Sequence, residues 1–130
     1  MRPRDMDDPV REFLRDRHLA ALTLVEPDGR PHVTPVGFTW DPEAELVRII
    51  TWSGSHKARL LARNPGLAAA VCQVDGARWL TLEGRAVVTA DTDRCATGVA
   101  MYARRYSPPT DRGTDRRVIE ITISRWMGRA

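Results

Sequence analysis

Between Leu19 and Trp126 the chain repeats one arrangement: a run of β-branched and apolar residues, a tight turn, and another run. Pro27-Asp28-Gly29-Arg30 has hairpin chemistry, since Pro presets φ and Gly accepts a positive φ. It joins a predicted strand over Leu19–Glu26 to one over His32–Trp40. Asp41–Glu45 turns into a third over Leu46–Trp52. Gly76-Ala77 turns between strands over Leu67–Asp75 and Arg78–Ala90, the latter with a bend expected at Gly84. Arg116–Trp126 closes the series, alternating Val118, Glu120, Thr122 and Ser124 with Ile119, Ile121 and Ile123.

Short helices are predicted over Asp7–Arg17, His56–Asn64 and Asp91–Tyr106. Strands joined mainly by hairpins do not make βαβ units, and a barrel removes their exposed edges. The expected fold is mainly β with short helices, a six-stranded antiparallel split β-barrel. One such domain would occupy residues 1–130, long enough to bury a core without disulfides.

Charge narrows the functional classes. The net charge is +3, with 20 basic residues interleaved with 17 acidic ones. A nucleic-acid barrel would cluster its cations among aromatics on one face, but aromatics are only 6% here. A mild positive charge does suit a small anionic ligand. No apolar run is long enough for a membrane helix, and Met1–Val10 lacks a signal-peptide core. Cys72 and Cys95 lack metal-type spacing, and the histidines show none either. These features lead us to expect a cytoplasmic protein without metal, nucleic-acid partner or membrane contact.

Thr51-Trp52-Ser53-Gly54-Ser55-His56-Lys57 carries the chemistry. It lies where a strand ends and a helix begins. Ser55 is a suitable N-cap, and the first amides of the helix would lack internal partners and favour an anion. Ser53 and Ser55 offer hydroxyls, Gly54 permits close approach of backbone, and Lys57 adds a compact charge. Of the 20 basic residues, Lys57 alone is lysine. Drift could leave one lysine anywhere, but this position favours a phosphate seat.

Pro35-Val36-Gly37 is the second informative stretch. Pro and Gly so close together weaken a ladder and leave backbone for a flat ligand, or else provide a bulge for curvature. Arg78 and Trp79 open a long strand beside a tight turn, where Trp79 could stack on a ring, meet a second subunit or enter the core. No residue is assigned as catalytic.

The order of elements resembles the pyridoxamine-phosphate-oxidase-like split-barrel family. So do Gly29-Arg30-Pro31-His32-Val33 with Pro35-Val36, and Gly54-Ser55-His56-Lys57 followed by Arg63-Asn64-Pro65. Within that family, the last strand and four further segments are similar to the branch that uses the deazaflavin coenzyme F420, in particular its biliverdin reductases. The four are His18-Leu19-Ala20, Phe38–Pro42, Gln73–Ala86 and Tyr102–Tyr106. The resemblance implies a homodimer with two equivalent cofactor sites at the interface. Ser53, Ser55 and Lys57 would hold the phosphate, Pro35, Val36 and Gly37 would line the ring, and Thr51 would sit at its edge. Arg78 and Trp79 would come near the site, from the same chain or from the partner subunit. His56 departs from the neutral amide of the nearest relatives. The implied activity is hydride transfer from reduced F420 to a conjugated, anionic small molecule such as biliverdin. FMN in the same fold, or a carrier that binds a tetrapyrrole without turnover, are the alternatives.

Overall fold

The computed structural model describes residues 1–130. Seven antiparallel strands form one sheet: β1 (Ala20–Val25), β2 (Pro31–Val36), β3 (Thr39–Asp41), β4 (Leu46–Trp52), β5 (Leu67–Asp75), β6 (Arg78–Thr89) and β7 (Arg116–Arg129). Three helices accompany them: α1 (Asp8–Arg15), α2 (His56–Arg63) and α3 (Thr92–Arg105).

The strand count corrects the expectation of six. The stretch predicted as one strand over His32–Trp40 is divided at Gly37-Phe38 into β2 and β3. These two halves lie at opposite ends of the order β2-β1-β5-β6-β7-β4-β3. A flat seven-stranded sheet would hold its edges about 28 Å apart, whereas the three Cα steps from Val36 to Thr39 reach at most about 11 Å. The sheet must therefore roll until its edges meet. β2 and β3 do not pair with each other, so the barrel stays split along that line.

Period-2 alternation fills the interior. Leu22, Leu24, Val47, Ile49, Val71, Leu80, Leu82, Ile119 and Ile121 are all buried. Met6 and the Val10, Phe13 and Leu14 face of α1 join the same core. Asp7 caps α1 by accepting from the Val10 amide at 3.1 Å. Buried Gln73 donates from Nε2 to the Phe13 carbonyl at 2.8 Å, tying the end of that helix to β5.

Gly84 is the expected bend, and its cause is close packing. A Cβ there would lie 1.8 Å from the Thr122 carbonyl oxygen. The β6–β7 register shifts at Glu83/Gly84, which leaves Ser124 as the extra residue of a bulge. The parity of β7 changes there, so Ile123 and Trp126 both face inward.

The opposite face of β2, β1 and β5 is unusual for a surface. Register places Pro31, Val33 and Pro35 beside Val25, Thr23 and Ala21, and these beside Ala70 and Cys72. Val33 is 57% exposed and Val74 on the same face is 60% exposed. This region has no charged residue, although an antiparallel sheet facing water normally alternates to polar side chains.

Candidate functional site

The split in the barrel positions the site. β2 ends there, and the Gly37-Phe38 link is held from outside by α3. The Tyr106 hydroxyl accepts from the Phe38 amide at 3.1 Å and donates to the His18 carbonyl at 2.6 Å. Arg105 donates to the Phe38 carbonyl, the Gln73 side chain and the Asp16 carbonyl, each below 3 Å. Burial raises the Tyr106 pKa, which keeps the phenol neutral, and lowers that of Arg105, whose guanidinium stays charged while it donates these bonds.

A cleft of about 440 Å³ opens beside this link. Pro35, Val36 and Gly37 form one wall, and Ile49 to Trp52 of β4 form its floor. Lys57 enters from α2, Tyr102 from α3 and Arg116 from the start of β7. A strap joining α3 to β7 supplies Ser107 to Thr110 and Arg112. Lys57, Arg112 and Arg116 all line the cleft, and no carboxylate does. The half-buried Lys57 has its pKa lowered by desolvation, as expected for an ammonium with no counter-ion. Such a cleft favours an anion with a flat apolar part.

The strap also walls a second cavity, of about 480 Å³, bounded by Cys95, Ala96 and Val99 of α3. It shares Pro109, Thr110, Arg112 and Arg116 with the cleft. Asp111 lies in its lining, so its charge is mixed.

Five of the sequence-predicted site residues meet in the cleft: Pro35, Val36, Gly37, Thr51 and Lys57. Ser53, Gly54, Ser55 and His56 form the turn beside it but are not part of its lining. The Ser55 hydroxyl is buried, caps α2 by accepting from the Ala58 amide at 3.1 Å, and accepts from Thr51 at 2.7 Å. Ser53 bonds the Asp115 carboxylate through its hydroxyl and the Asp115 carbonyl through its amide. Both hydroxyls are thus engaged within the protein, where the sequence suggested free donors. Gly54 makes room for Trp52, because a Cβ would lie 3.0 Å from the indole Nε1. His56 packs its ring on His32, with centroids 4.5 Å apart.

Arg78 and Trp79 lie elsewhere in this chain. Arg78 pairs with Asp75 and lies over the Phe13 ring, 4.6 Å from its centroid. Trp79 pairs with Arg129 and lies opposite Val74, beside the uncharged face. The residues missed by sequence reading are Trp52, Tyr102, Arg112 and Arg116. The Ser107–Asp115 connection, with Pro108-Pro109, is of ordinary length, so nothing in it alone marks Arg112 as a site residue.

Fold and cleft define a split-barrel protein whose cleft suits a flat anionic ligand. The pyridoxamine 5'-phosphate oxidase family profile matches residues 6–129, and the chain belongs to that family. It is 48% identical over 126 residues to the F420H(2)-dependent biliverdin reductase of Mycobacterium tuberculosis, covering 96% of this chain and 89% of that one. Solved structures of other proteins share the fold. An F420 reductase superposes with a TM-score of 0.72 at 24% identity, covering 94% of this chain and 98% of the other. HutZ, a haem storage protein of Vibrio cholerae, gives 0.76 at 18% identity, covering 99% and 96%.

Proposed function

We propose that this protein is an F420-dependent reductase that transfers a hydride from the reduced deazaflavin to a conjugated tetrapyrrole, biliverdin or a close analogue. The observation that carries the reading is the cleft itself: Lys57 is half-buried and unpaired in a lining without a carboxylate. That donor set fits a phosphate-tailed flat cofactor. The 48% identity to an F420H(2)-dependent biliverdin reductase supports F420 over FMN.

Lys57 would take the phosphate, assisted by the free amides at the start of α2. Ser53, Gly54, Ser55 and His56 would shape that seat, with Ser55 fixing the helix end and Ser53 anchoring the turn to Asp115. Pro35, Val36 and Gly37 would line the ring through backbone, and Thr51 would sit at its edge. F420 supplies the hydride when bound, while the chain orients the acceptor and limits water around it. No side chain is required as proton donor.

A homodimer is part of the proposal. Leu19, Val33 and Val74 are 64%, 57% and 60% exposed, on or beside a sheet face without charge. Pro35 belongs both to that face and to the cleft. A second copy covering the face would therefore reach the cleft, and its Arg78 and Trp79 would be placed near the cofactor. The protein would work in the cytoplasm; no helix is long and apolar enough to cross a membrane.

Mixing reduced F420 and biliverdin with the protein in stopped flow tests the reading. Bleaching of biliverdin with oxidation of F420, and none with reduced FMN, is the expected result. Tight biliverdin binding without turnover would instead make the protein a carrier, and turnover with FMN alone would move it to the flavin branch.

A further inference from the structure

The three cations of the cleft are not equivalent. Arg116 donates to the Thr51 carbonyl at 3.3 Å and also to the Thr110 carbonyl, so its fork already holds backbone together. Lys57 and Arg112 have no oxygen partner for their side chains. They enter from different elements, α2 and the strap. Arg112 rests with its guanidinium 4.7 Å from the centroid of the Trp52 ring. The indole in turn is packed against Gly54, which leaves room only for a hydrogen on that side. Gly54 thus backs one edge of the indole, which is 39% exposed and carries an exposed cation beside the cleft.

An exposed cation–π contact is weaker than a two-pronged guanidinium–carboxylate pair. An arriving carboxylate would therefore draw Arg112 off the indole. Arginine, unlike lysine, matches a carboxylate with two parallel donors. Two unneutralised cations on different elements also suit two separate anionic groups better than one.

We propose that Arg112 is a carboxylate receptor for the acceptor, distinct from Lys57, which serves the cofactor phosphate. Trp52 holds Arg112 ready while the site awaits its ligand. This inference rests on the reading of the cleft as the reductase site. It adds a specificity rule: acceptors bearing a free carboxylate bind better than their esters.

The test is equilibrium binding of biliverdin, of its dimethyl ester and of F420, each alone, to the wild-type protein and to Arg112→Ala. The substitution is at an exposed position, so thermal stability serves as a check on folding. Biliverdin affinity should fall about tenfold or more, as for a lost charge-assisted pair. Affinities for the ester and for F420 should stay the same in both proteins, and Arg112→Lys should recover part of the loss. Unchanged biliverdin affinity in Arg112→Ala overturns the inference and leaves the proposed function intact. So does an equal loss for acid and ester, or a loss confined to F420. A wild-type protein that binds F420 but neither form of biliverdin removes the tetrapyrrole acceptor itself, and the inference with it.

Discussion

Gly37 and Tyr102 are in such close contact that a Cβ on Gly37 would lie 3.0 Å from the tyrosine Cε2. Tyr106 crowds the same point at 3.2 Å, and the two rings pack with centroids 4.8 Å apart. The rings cannot yield independently, because the Tyr106 hydroxyl is bonded to both Phe38 and His18. Gly37→Ala should therefore displace the β2–β3 link and raise the cofactor dissociation constant several-fold. A modest destabilisation, about 1 kcal/mol, should accompany it. Fluorescence titration and thermal melting check both expectations; unchanged affinity would separate the link from the cofactor.

Lys57→Ala should weaken F420 binding by about tenfold or more, and Lys57→Arg should restore only part of it. Isothermal titration measures the change. An unaltered dissociation constant in the alanine variant would take Lys57 out of the site.

The same lysine gives a pH dependence with a definite sign. Burial lowers its pKa below the ordinary 10.5. The unfolded chain therefore holds the proton more tightly, so this group favours folding more as pH rises from the lowered value to the ordinary one. An anionic ligand prefers the ammonium, so F420 affinity should fall over that alkaline range. Lys57→Ala should lose this dependence. A binding–pH profile of the two proteins tests it.

Gly84→Ala should be among the most damaging single changes. Its Cβ would come 1.8 Å from the Thr122 carbonyl, and backbone on both strands must move to accept it. A loss of about 2–4 kcal/mol is expected, read from urea unfolding. A change below 0.5 kcal/mol would show that the bulge opens easily.

Ala70→Arg places a charge at the β5 margin of the uncharged face, between Thr23 of β1 and Glu83 of β6. Sedimentation should then show monomers where the wild type sediments as a dimer, with cofactor affinity reduced alongside. A wild type that is monomeric at micromolar concentration would remove the dimer and the placement of Arg78 and Trp79 with it.

Much was legible from residues close together in the chain. The bounds of β4 and β5 follow their β-branched and apolar runs, and Ser55 caps α2 as its position implies. Lys57 stands out by residue type alone. Turns, caps and alternation are local preferences, and local preferences are written in the sequence. Tertiary packing decided the rest. Closing the barrel interrupts one predicted strand at Gly37-Phe38, because rolling the sheet brings distant edges together over three Cα steps. Asp115 engages the Ser53 hydroxyl across 62 positions of sequence, and Arg112 meets Trp52 from a strap that resembles an ordinary loop when read alone. Such pairings depend on which elements the rolled sheet brings together, and no short-range preference encodes that.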